Sequence, residues 1–305
     1  MRITYLTTTV TAAVIFFASM LGRSEPSSVK SQITQQPAEH LKPLKNYMSE
    51  GVIEHADAIA TLRVNAPQPL RQAVATLNLE YGWMIDFEDP PYMSDSELID
   101  ITDPKRRAAN PNYRATMVAG GGFEFQYEDD FVDSDLQAVQ ALLHRLVTAY
   151  NKSGNPGKFK VRKQESGRYT IIGSSVKNHA DRDETVSPIL DTLISVPVER
   201  RRALHTIEVI LQALSAKTNK KVDMGGSPLN LFYSAWITVG GDNVSARSLL
   251  VQALNATGRP VVYDLMYSDS IERYIFRSSL AVRAYRDTFG KKTLIPLDSK
   301  PRGPR

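Results

Sequence analysis

Ala-Arg-Ser-Leu-Leu-Val-Gln-Ala-Leu-Asn-Ala-Thr-Gly-Arg-Pro-Val-Val-Tyr-Asp-Leu, residues 246–265, decides the fold class. Ala246, Leu249, Leu250, Ala253 and Leu254 recur at steps of three and four, so one face of a helix is apolar. Gly258 stands where a left-handed residue stops such a helix. A strand over Val261–Leu265 follows, and Ile271–Phe276 reads as its hairpin partner across Ser268-Asp269-Ser270. A helix feeding a hairpin is the closing half of a small α+β unit.

Working upstream, Phe232–Val239 alternates, with Tyr233, Ala235, Ile237 and Val239 on one face, and Gly240-Gly241 is expected to end it. Asp242 or Asn243 is expected to cap the next helix. Lys221–Met224 reads as a short strand. Leu204, Ile207, Leu211 and Leu214 mark a helix over about 202–218. Leu193–Val198 is a strand that Pro197, lacking an N–H, restricts to a sheet edge. The order is β-α-β-β-α-β, with the last strand extended into a hairpin.

The same order precedes it. Ala58–Val64 is a strand, and Pro69 opens a helix with Leu70, Ala73, Val74 and Leu77 on one side. Trp83–Phe87 and Thr116–Tyr127 are strands, the latter interrupted by Gly120-Gly121-Gly122. Asp133 or Ser134 caps a helix carrying Leu136, Val139, Leu142, Leu143, Leu146, Val147 and Tyr150. Phe159–Lys163 and Arg168–Ile172 form the closing hairpin. Both copies end on an Arg-Tyr pair, Arg168-Tyr169 and Arg273-Tyr274. The expectation is therefore an α+β chain of two tandem βαββαβ modules, residues 57–176 and 189–285, joined by a linker over 177–188.

The second copy resembles the short N-terminal domain of secretins and TonB-dependent receptors. The resemblance rests on Ile207-Glu208-Val209-Ile210-Leu211-Gln212-Ala213-Leu214 in the first helix. It rests equally on Ser248-Leu249-Leu250 through Thr257-Gly258 with the following Val261-Val262-Tyr263. It covers residues 193–278 and, more loosely, 58–173. It implies a periplasmic module that docks onto other protein domains, with no catalytic residue to carry over. The first copy departs from the family in a long loop, residues 88–112.

The ends of the chain point to export. Arg2 and the apolar run Val10–Leu21, followed by Ala18, Ser19, Gly22 and Ser24, read as a signal peptide over residues 1–24, or as an uncleaved anchor. The run is shorter than the ~20 residues that span a bilayer. Residues 25–56 carry Pro26, Pro37 and Pro43 and read as a disordered linker, and residues 286–305 as a disordered basic tail. With no cysteine, lipidation at a cysteine, disulfides and thiolate sites are excluded. A net charge of +4 over 305 residues, much of it in the end segments, argues against a nucleic-acid binder.

Function is read by elimination. No nucleophile elbow, phosphate loop or dinucleotide fingerprint appears, and none of the five histidines stands at ligand spacing. No catalytic residue, metal or cofactor is expected. The distinctive stretch is Trp83, Asp86, Glu88, Asp89 and Tyr92 at the head of the long loop. These five are the expected ligand or partner site. Three readings follow: a non-catalytic interaction module for an envelope protein, a binder of a small ligand or cell-wall glycan through this loop, which could also hold a partner peptide, and a carboxylate-dependent hydrolase. The last requires two of Asp86, Glu88, Asp89 and Asp95 to converge in a cleft.

Overall fold

The computed structural model describes residues 51–129, 136–164, 167–286 and 292–298. The signal peptide, linker residues 25–50, the Asp133 or Ser134 cap and tail residues 299–305 lie outside the described residues. The described chain is α+β.

The first lobe opens with β1 (Val52–Ala56), β2 (Ile59–Val64), α1 (Pro69–Tyr81) and β3 (Ile85–Glu88). Pro69 starts α1, where a missing N–H costs nothing, and Gly82 stops it in the left-handed region at φ 70°. The long loop then holds a 3₁₀ turn (Asp95–Glu97), β4 (Leu98–Asp100) and α2 (Pro104–Ala109), and is followed by β5 (Thr116–Val118). β6 (Phe123–Glu128), α3 (Leu136–Lys152), β7 (Lys158–Lys163) and β8 (Tyr169–Lys177) complete the lobe, and β9 (Asp183–Thr185) follows. The second lobe runs β10 (Leu193–Arg202), α4 (Ala203–Thr218), β11 (Lys221–Met224), α5 (Leu229–Ser234), β12 (Trp236–Ser245), α6 (Ala246–Asn255), β13 (Val261–Ser268) and β14 (Arg273–Leu280). β15 (Val282–Arg286) and β16 (Lys292–Pro296) form a terminal hairpin.

Strand pairing is the same in both lobes. β2 lies antiparallel to β6 as β10 does to β12. β3 lies parallel to β8, and β8 antiparallel to β7, as β11, β14 and β13 do. The correspondence reaches single residues. Asp86 on β3 pairs with Arg168, and Asp223 on β11 pairs with Arg273, so the Arg-Tyr pair common to both sequences is an ion-pair position. Each lobe has its own apolar core. One gathers Leu62, Leu70, Leu77, Leu143, Leu146 and Ile171, the other Ile207, Leu214, Phe232, Leu250, Leu254 and Phe276.

The lobes are joined by more than a connecting peptide. β13 of the second lobe pairs parallel with β3 of the first, Asp264 opposite Phe87 and Leu265 opposite Glu88. One sheet therefore runs β11-β14-β13-β3-β8-β7, with β9 on the end of β8. Partners in a parallel pair point to the same face. Phe87 belongs to the first core and Leu265 to the second, so the two cores pack on opposite faces of this shared sheet.

Several expectations need correction. Linker residues 52–56 form β1, which takes its register from β2 with Ile53 turned inward. Tail residues 292–296 form β16. Thr116–Tyr127 is split by its three glycines between two sheets, β5 pairing with β4 and β6 with β2. Leu229–Ser234 is helical, and β12 runs through Gly240-Gly241 instead of ending there. Gly240 permits a close approach: a Cβ at that position would stand 2.5 Å from the Pro197 carbonyl oxygen. The cap of α6 is Ser245, which accepts from the Ser248 N–H, and not Asp242 or Asn243. Among the described residues no helix is long and apolar enough to cross a membrane.

Candidate functional site

The five predicted site residues do not form an exposed ledge. β3 is buried at all four positions, and its polar side chains face the second lobe. Asp86 accepts both oxygens' bonds from one Arg168 nitrogen, at 2.9 and 3.0 Å, and accepts the Tyr263 N–H at 2.9 Å. Arg168 also donates to the Val261 carbonyl at 2.6 Å. Glu88 is held bidentately by Arg247 of α6, at 2.6 Å on each oxygen, and accepts the Tyr263 hydroxyl at 2.7 Å. Glu88 and Arg247 are each 2% exposed. Arg247 also pairs with Asp191, which Arg162 holds in turn. The exchange runs the other way through Asp264 of β13, which takes Arg71 of α1 at 2.6 Å and Arg277 at 2.8 Å. Each seam strand thus presents a carboxylate to an arginine on a helix of the other lobe.

Asp89 follows at the end of the seam. Its N–H donates to the Leu265 carbonyl at 2.8 Å, and its carboxylate accepts Gln68 at 2.8 Å and the Tyr92 hydroxyl at 3.3 Å. Burial pushes the Asp89 carboxyl up to about 7, against the pull of Arg71. Burial also pushes Asp86 up, opposed by Arg168. Tyr92 is buried in a small cluster with Val118 and Val176, where the long loop packs down. Glu97 fastens that loop by accepting the Gly157 and Lys177 N–H groups at 2.8 and 2.9 Å. Trp83 packs elsewhere, stacked on Tyr81 at 4.6 Å between ring centroids. Asp95 is exposed and paired with Arg114, so it does not converge with the seam carboxylates. Asp86 and Glu88 are spent on buried ion pairs that join the elements around them. Among the described residues no group of three or more His, Cys, Asp or Glu forms a metal site.

Two other regions are accessible. On the outer face of the β10–β12 ribbon, Arg202 pairs in register with Trp236 and Arg200 with Thr238. The Arg202 and Arg200 guanidinium carbons lie over the indole at 4.2 and 5.1 Å from its centre, a cation–π arrangement. Trp236 remains 50% exposed, and Val198 of β10 and Tyr233 of α5 are exposed as well. Among the described residues neither arginine pairs with a carboxylate. Alternation already turns Trp236 away from Ile237 and Val239, but no sequence spacing places Arg200 and Arg202 over it; the β10–β12 register does.

The second region is a cleft of about 640 Å³ between β1, the end of α1 and the β15–β16 hairpin. His55 Nδ1 is hydrogen-bonded to Asp129, and its Nε2 stands 3.8 Å from Glu80. The Tyr81 hydroxyl bonds Tyr127 at 2.9 Å and donates to Asp129 at 3.2 Å. Arg283, Tyr285, Ile295 and Leu297 line the opposite wall. No sequence spacing links these residues, since His55 and Asp129 meet only through the β1–β2–β6 register.

Comparison with family models, with curated proteins and with solved structures returned no match.

Proposed function

We propose that this chain is an exported, non-catalytic docking module of the bacterial envelope, built from two copies of one short secretin-type module. In this reading it engages a protein partner through the outer face of the β10–β12 ribbon. The observation that carries it is the exposed Trp236 under Arg200 and Arg202. Aromatic and arginine side chains are enriched where protein interfaces concentrate their energy. Two cations without carboxylate partners fit an acidic surface. Asp86 and Glu88, which the hydrolase reading needs free in a cleft, are engaged by Arg168 and Arg247, which supports a binding role over a hydrolytic one.

Site-specific photocrosslinking from position 233 in cells tests this. A discrete adduct in the envelope fraction that disappears in Arg200→Glu/Arg202→Glu supports the reading. Absence of any adduct from folded protein removes it. Export is tested separately by fusing residues 1–30 to a reporter active only outside the cytoplasm; an inactive fusion contradicts it.

A second reading has its own observation. The His55 cleft falls within the ~300–1,000 Å³ of small-ligand sites. Trp83 stacks on Tyr81 in its wall and reports on it. In Trp236→Phe, where Trp83 is the remaining tryptophan, cell-wall fragments that bind there alter its fluorescence. A flat titration with all fragments ends this reading.

A further inference from the structure

The two lobes carry equivalent ribbons, and their outer faces differ in charge. On the first lobe the rows are Val52–Arg63–Glu124, Glu54–Thr61–Gln126 and Ala56–Ile59–Glu128. Arg63 is shared between Glu54 and Glu124, and Glu128 has no ion-pair partner among the described residues. Three carboxylates against one guanidinium leave this face at −2. Val52 and Ile59 stand exposed among them. On the second lobe the equivalent face around Trp236 holds Arg200 and Arg202, giving +2. Glu199 is engaged by Arg201, and Asp242 lies at the far end of the ribbon, bonded to Ser195.

We infer that the occupant of the β10–β12 face is a second copy of this chain. Its β1–β2–β6 face brings Glu54, Glu124 and Glu128 to Arg200 and Arg202, and Val52 and Ile59 to Val198 and Trp236. This rests on the docking reading above and names its partner. Both faces offer two net charges of opposite sign and two exposed apolar side chains. The contact is heterologous, since the two surfaces differ. Each added copy leaves one face of each kind free, and the assembly extends head to tail. Exposed charges supply much of the attraction, so it weakens as salt screens them.

Sedimentation velocity of the mature chain tests this at ionic strengths of about 0.01 M and 1 M, where the screening lengths are about 30 and 3 Å. The wild type is expected to form a concentration-dependent series at low salt and to be monomeric at high salt. Arg200→Gln/Arg202→Gln neutralises the positive face and keeps the negative one, and Glu124→Gln/Glu128→Gln neutralises the negative face and keeps the positive one. Each variant alone is expected to be monomeric. Their equimolar mixture is expected to give a dimer and nothing larger, because one complementary pair of faces survives. A wild type that stays monomeric at low salt overturns the inference, as does association within either variant or a mixture that stays monomeric. A monomeric wild type whose position 233 still captures a different envelope protein removes self-association and leaves the docking reading standing. Failure of both assays removes both.

Discussion

Arg247 shows at the scale of one residue how the seam works. Its guanidinium meets Glu88 bidentately where both are almost fully buried, with Tyr263 donating to the same carboxylate. Removing one partner of such a pair leaves an uncompensated buried charge, which costs about 3–5 kcal/mol. Arg247→Ala is therefore expected to lose about that much in urea denaturation, and Glu88→Leu/Arg247→Met to recover most of it. Asp89 makes a pH prediction. Its carboxyl is raised from 3.8 to about 7 by burial, so between these values the folded protein keeps a proton that the unfolded chain has released. Folded stability therefore falls as pH rises across that window. Asp89→Asn is expected to gain on the wild type steadily from about pH 4 to pH 7; a constant difference contradicts the assignment. The charge of Asp86, Glu88 and Asp89 was plain in the sequence. Their fate was not, because Arg247 is 159 residues from Glu88 and only the β3–β13 pairing brings them together.

Elements were legible where their period was long and uninterrupted. α1, α3, α4 and α6 follow from apolar spacing, and Lys221–Met224 matches β11 at both ends. Misreadings fall where tertiary contact overrides local pattern. Gly240-Gly241 looks like a strand terminator, yet β12 continues through it because the paired β10 bulges around Pro197. Gly240→Ala places a methyl carbon 2.5 Å from a backbone oxygen. Overpacking of this kind costs about 1–3 kcal/mol, seen as a lowered denaturation midpoint with an unchanged slope. Wild-type stability in that variant contradicts the close-approach account. β1 and β16 fall where the sequence pattern predicts linker and tail, because such short strands carry little periodic signal and take their register from a neighbour.

At the scale of the molecule, the shared sheet turns two modules into one body with separate cores. The sequence reveals the like order of elements in the two lobes, since each repeats its own local pattern. It is silent on the edge-to-edge fusion, which depends on two short strands far apart in the chain. A seam built from buried ion pairs couples the lobes, so a single unfolding transition is expected for the wild type. Arg247→Ala, by loosening that seam, is expected to broaden or split it. The fusion also takes Asp86, Glu88 and Asp89 out of solvent, while the outer ribbon faces and the His55 cleft stay accessible. The most direct measurement is the photocrosslinking yield from position 233 compared across wild type, Arg200→Glu/Arg202→Glu and Glu88→Gln, each checked to be folded. Loss of the adduct in the double arginine variant with its retention in Glu88→Gln is the predicted result. Retention in the arginine variant with loss in folded Glu88→Gln would contradict the account.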